Sequence, residues 1–175
     1  GNLKSNLSVT DYNYTSGGEL TYRVRSTSRG NYFYDDAGRI TFGPGYTIDY
    51  SLFGKPTSMA YSGGHSTDIV YGALQERVQR TDVNDLAETT DTYYVAKDYE
   101  LIVTAGGREH RHYMGDWGIH VIEEQSSREY NVFLTRDHIG SIATKTDDYD
   151  PDTPVIKYHA NEPWGKRQNE TWNGT

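Results

Sequence analysis

Histidine is the side chain in this sequence best placed to do chemistry. In Arg108-Glu109-His110-Arg111-His112-Tyr113 two imidazoles stand two residues apart, so on a strand both point to one side. His120 falls on what reads as the neighbouring strand. With Asp116, the three rings make a donor set suited to zinc, iron or copper. Both faces of the 108–113 segment are polar, so a solvated, charged edge strand is the plainer expectation. A second cluster, Asp148, Asp150 and Asp152, alternates within Asp147-Asp148-Tyr149-Asp150-Pro151-Asp152. Alternating acids open calcium loops, which makes calcium the candidate ion here, although the glycine and closing glutamate of an EF-hand are missing. No other cofactor is expected.

The His110-x-His112 pair with a following acid resembles the metal strand of cupins. That resemblance implies a metal-dependent enzyme, with Asp116 standing where cupins carry glutamate. Other catalytic signals are missing. The sequence contains no Gly-x-Ser-x-Gly elbow, no phosphate-binding glycine loop and no His-Glu-x-x-His. Adjacent acids such as Glu123-Glu124 would face opposite sides of a strand. The expectation is a protein that is not an enzyme.

Composition narrows the class further. Hydrophobic residues are 34% and charged residues 24% of 175, with mean hydropathy −0.83, so any core is thin. Sixteen tyrosines against four phenylalanines suit positions with a buried ring and a wet hydroxyl. The net charge of −8 disfavours nucleic acid, whose phosphates need clustered Lys and Arg. Cysteine is absent, which excludes disulfides and thiolate-bound zinc. No apolar run is long enough for a transmembrane helix, and the start at Gly1 without methionine reads as a processed terminus. Four Asn-x-Ser/Thr triplets, at Asn6, Asn13, Asn169 and Asn173, read as glycan acceptors of an extracellular or cell-surface protein.

These residues must be positioned by strands. From Leu7 to about Tyr158 short alternating runs are cut by Gly, Asp, Asn or Ser, the pattern of an antiparallel sheet with one wetted face. Leu20, Tyr22 and Val24 read as a strand, and hairpins follow around Asp35-Asp36-Ala37-Gly38 and Gly43-Pro44-Gly45. Ser66 as a cap, with Val70, Leu74 and Val78 four apart, predicts one short helix near residues 67–80, with an extended Ile69 to Tyr71 as the alternative. Residues 81–92 read as a polar loop, and Leu101-Ile102-Val103 as a central strand. No internal repeat stands out. The expected fold is all-β: an antiparallel two-sheet β-sandwich, Ig-like or jelly-roll-like, of ten to twelve strands. Its domain covers 17–160, between an N-terminal extended segment (1–16) and a polar C-terminal tail (161–175).

Leu3, Leu7 and Val9 share one face of that first segment, and Tyr12 and Tyr14 take over after a slip of phase at Asp11. An oily extended segment of this kind can complete a neighbour's sheet as a donor strand, and head-to-tail repetition builds a filament. The leading expectation is therefore a glycosylated extracellular structural subunit forming a pilus-like filament or surface layer, with copies of itself as partners. The alternative is a carbohydrate- or membrane-surface-binding module using Trp117, Trp164 and Trp172. A Cys-free, Tyr-rich chain of this length resembles actinoporins in composition, which implies a membrane-binding sandwich.

Overall fold

The computed structural model describes residues 9–20, 22–137 and 140–149, together with strand backbone at 156–158, 160–161 and 167–168. The chain is all-β and divides into two compact units, Gly1–Thr89 and Thr90–Thr175. In the first unit β1 (Thr15–Ser16) pairs with β2 (Glu19–Leu20), and β3 (Ser26–Thr27) with β4 (Gly30–Asn31). A longer antiparallel meander follows: β5 (Phe33–Tyr34), β6 (Ile40–Gly43), β7 (Tyr46–Tyr50), β8 (Pro56–Tyr61), β9 (Ser66–Tyr71) and β10 (Arg77–Val83). In the second unit β11 (Thr89–Ala96), β12 (Tyr99–Thr104), β13 (Gly107–Met114), β14 (Gly118–Glu123), β15 (Arg128–Arg136), β16 (Ile142–Asp147) and β17 (Ile156–Tyr158) do the same. A last small hairpin joins β18 (Ala160–Asn161) to β19 (Arg167–Gln168). Within each meander every strand lies beside its neighbours in sequence, as short hairpin connections require.

Among the described residues there is no helix, which corrects the expectation for 67–80. That stretch is the β9–β10 hairpin, with Arg77 opposite Tyr71 and Val83 opposite Ser66. The four-residue spacing of Val70, Leu74 and Val78 is coincidence. Val70 and Leu74 are exposed, and the β-branched and aromatic run Thr67-Asp68-Ile69-Val70-Tyr71 prefers a pleated strand. The polar stretch 81–92 is likewise two strand ends around a tight turn at Asn84–Glu88. Tyr22 to Arg25 is not strand, and Tyr22 is exposed. Leu101 to Val103 does lie in an interior strand, between β11 and β13.

One turn recurs along the chain. Asp35 N–H donates to Arg39 O and Gly38 N–H to Asp35 O; the same two bonds link Ser51 with Lys55 and Gly54, and Gly72 with Glu76 and Gln75. Tyr61, Asn84 and Asp137 open three further copies. Each is a three-residue hairpin loop ending in a left-handed residue, which closes the turn without splaying its strands. Glycine fills that position at 38, 54, 64 and 140, with Gln75 and Ala87 as the departures. Where the first residue is Asp35, Asn84 or Asp137, its side chain also accepts the N–H four residues on.

Three of these turns belong to a larger repeat that the sequence alone did not reveal. A tyrosine precedes each: Tyr34, Tyr50 and Tyr71. Their hydroxyls donate to the carbonyls of Val24, Ile40 and Pro56 at 2.7, 2.9 and 2.9 Å. The cation closing one turn then lies over the tyrosine of the next, Arg39 over Tyr50 at 4.6 Å and Lys55 over Tyr71 at 5.1 Å. Connecting hairpins in a meander alternate between its two ends, so these three turns lie at the same end of the first unit's sheet.

Side-chain burial is shallow. Val121 and Val132 are the buried hydrophobic residues among those described, both in the second unit. No side chain among them is fully buried.

Candidate functional site

The second unit gathers the residues with chemical potential. Pairing of β12, β13, β14 and β15 sets Tyr99 opposite His112, His112 opposite His120, and His120 opposite Asn131. Asn131 extends the row to Asp148, donating to its carboxylate through both the backbone N–H and Nδ2. Side chains in such a row share one face, because residues directly opposite project to the same side. His110, two residues before His112, joins that face.

The hydrogen bonds assign roles. Asn131 Nδ2 gives its proton to Asp148 at 2.9 Å, so Asn131 Oδ1 is the atom turned to His120 Nδ1, 3.0 Å away. An amide oxygen only accepts, so Nδ1 of His120 carries the proton. Nε2 of His120 then faces a Glu129 carboxylate oxygen at 3.1 Å. His110 is occupied at both nitrogens, by the Tyr99 hydroxyl at 2.6 Å and by Glu124 at 2.8 Å. The His112 ring lies tilted beside those of Tyr99 and His120, at centroid distances of 4.8 and 6.2 Å. Asn131 and its own N–H hold the Asp148 carboxyl below the usual carboxylate range, with a further contribution from His120.

The opposite face carries the apolar floor. Val121 and Val132 lie under a concave pocket of about 400 Å³ walled by Arg111, Tyr113, Tyr130 and Lys145. Arg111 is ion-paired with Glu109. Tyr113 donates to Glu100 at 2.7 Å, and burial followed by that carboxylate pushes its hydroxyl up to about 12. Burial, with Glu109 and Glu123 nearby, pushes Tyr130 up to about 12 as well. These phenols stay protonated at neutral pH and serve as hydrogen-bond donors, not as bases.

Of the residues expected to act, the structure brings His110, His112 and His120 onto one face of β13 and β14. Asp116 is apart from them, 95% exposed and 3.9 Å from Arg136. No three His, Cys, Asp or Glu side chains among the described residues converge on one metal position as they stand. Asp148 is engaged by Asn131, while Asp150 and Asp152 lie outside the described residues. Leu3, Leu7, Asn6, Asn169, Asn173, Trp164 and Trp172 also lie outside them. Asn13 is exposed, its side-chain oxygen accepting from Thr15 N–H. The inner half of the N-terminal segment is bonded to its own chain: Asn13 N–H donates to Ser26 O, and Ser28 N–H to Thr10 O. Tyr12 and Tyr14 are half-buried there, stacked 6.5 Å apart.

Sequence reading missed Tyr99, Glu129 and Asn131. Their signal lay in the turns: counting outward from Ala105-Gly106 and Gln125-Ser126 puts Tyr99 opposite His112 and Asn131 opposite His120, with Glu129 opposite Ile122, two residues along from His120. No helix among the described residues is long and apolar enough to cross a membrane. No protein-family model and no curated protein matches the chain.

Proposed function

We propose that this chain is a structural β-module that works by assembly and not by catalysis: a glycosylated extracellular subunit joined to other copies of itself in a filament or surface layer. The observation that supports this reading is the mismatch between sheet area and burial. Val121 and Val132 are the buried hydrophobics among the described residues, whereas Phe33, Phe42, Val70, Val95 and Phe133 are exposed along strands. A sheet hydrophobic on one face is stable when that face packs against another layer. In this reading a neighbouring copy supplies that layer, and the pair of sheets makes the sandwich. Exposed apolar patches rimmed by polar residues commonly mark such contacts.

Strand exchange is the proposed linkage, narrowed by geometry. Thr10 and Asn13 already use backbone groups within their own chain, which leaves residues 1–8, with Leu3 and Leu7, as the segment offered to a neighbour. The test is sedimentation over a broad concentration range together with electron microscopy of the full chain. Oligomers that grow with concentration, and shrink when residues 1–8 are removed, are expected. A chain that stays monomeric throughout would overturn the proposal.

A further inference from the structure

We propose that the concave pocket over Val121 and Val132 binds a small organic monoanion: an aromatic or branched apolar body carrying one carboxylate. The inference does not depend on the assembly reading. Its starting point is charge. Arg111, Arg136 and Lys145 line the pocket, with Glu109 as the single acid among the described lining residues, on a chain whose net charge is −8. A cationic recess on an acidic protein selects an anion.

The three cations are not equally available. Arg111 is held by the Glu109 carboxylate. Arg136 donates to the carbonyls of Asp116 and Gly140 at 3.3 and 2.8 Å. Lys145 is half-buried and enters no ion pair among the described residues. Its register partner on β15 is Leu134, an apolar residue that lines the same pocket. Asp147 shares its face of β16 but is not ion-paired with it. One unspent ammonium beside apolar surface matches a single negative charge attached to an apolar body. A phosphate, which is held best by several donors at once, is poorly served here.

The remaining lining fits the body of such a ligand. Ile119 stands opposite Val132 and Val121 opposite Tyr130, so neighbouring strands build a continuous apolar floor. Tyr113 and Tyr130 line the same recess, and their hydroxyls are already turned to Glu100 at 2.7 Å and Glu123 at 3.4 Å. What these tyrosines offer a ligand is therefore ring surface, against which an aromatic group packs. The volume, about 400 Å³, falls within the span of small-molecule sites, which are typically apolar recesses with few polar groups to fix orientation. Lys145 is the group that fixes it.

Phenylacetate is a suitable probe, with phenylacetamide as its uncharged counterpart and acetate as the charge without the ring. Titration of the full chain near neutral pH, followed by methyl NMR, should give saturable shifts at Val121, Val132 and Leu134 with phenylacetate. Val70 and Leu74, in the first unit, should not move. Phenylacetamide and acetate should each bind at least about ten-fold more weakly. Lys145→Met keeps most of the apolar stem and removes the charge, and should weaken phenylacetate by about ten- to a hundred-fold, the worth of a charged hydrogen bond. Lys97→Met, at an exposed position on the same unit, should leave the affinity within about two-fold. The shifts in the unmodified chain are independent of how any variant folds. Absence of saturable shifts, shifts centred outside the pocket, phenylacetamide or acetate binding as tightly as phenylacetate, or affinity unchanged in Lys145→Met would each overturn the proposal.

Discussion

The guanidinium of Arg39 lies 4.6 Å from the ring centre of Tyr50, while the hydroxyl of Tyr50 donates at 2.9 Å to the carbonyl of Ile40, the residue after Arg39. The end of one turn is thus clasped by the start of the next. Lys55 and Tyr71 repeat the arrangement one hairpin pair further on, where Tyr71 bonds the carbonyl of Pro56. The tyrosine enrichment has a local cause here, since the ring packs under a cation and the hydroxyl caps a strand carbonyl.

Tyr50→Phe should lower the stability of the first unit by about 1 kcal/mol, the net worth of one hydrogen bond. A double-mutant cycle with Arg39→Ala should return a coupling of about 0.5–1 kcal/mol. Urea titration measures both. Full additivity would mean that the stacked cation is a spectator.

The turn positions with positive φ should separate by residue type. Gly140 sits at φ +89° with open space around it, so Gly140→Ala should destabilise by about 1–2 kcal/mol through backbone strain alone. Ala87 adopts φ +59° without glycine's freedom, and Ala87→Gly should stabilise by roughly 0.5–1 kcal/mol. Thermal melts of the two variants should move in opposite directions.

Hydrophobic substitutions should divide by burial and not by residue size. Val132→Ala removes two methyl groups from one of the buried positions and should cost about 2 kcal/mol. Leu74→Ser, at a loop tip 89% exposed, should stay within about 0.5 kcal/mol. A large loss at Leu74 would restore the case for the helix.

Alkaline pH should weaken the second unit. Tyr113 and Tyr130 have folded-state values raised from 10.0 to about 12, so between these limits the folded chain binds more protons than the unfolded one. Their contribution is fully present below pH about 10 and is lost as pH rises through about 12. Absorbance titration should resolve this late-ionising pair, and denaturation midpoints should fall over the same interval. Tyr113→Phe together with Tyr130→Phe should flatten that slope.

Much of the strand pattern was legible because glycine and aspartate mark the turns. Asp35 to Gly38 is a hairpin connection as the spacing predicts, and the turn expected at Gly106-Gly107 falls one residue earlier, at Ala105-Gly106. The hairpin at 72–76 escaped because Gln75, not glycine, takes the left-handed position, and a chance i, i+4 spacing then read as a helix. The tyrosine repeat stayed hidden for a physical reason. Its cohesion lies in one hydroxyl, one carbonyl and one stacked cation, while the residues between vary in type and number. For the histidines the face was readable but the partners were not, since those depend on the registers of three successive hairpins.

A meander in which each strand touches its sequence neighbours has no wiring to disturb. Adding or deleting a hairpin within it leaves every other pairing intact and returns the chain to the same edge in the same direction. Gene-level gain or loss of such pairs would then alter the breadth of the sheet in increments of about 10 Å, which makes size, in this architecture, a quantity that evolution can adjust without redesigning anything else.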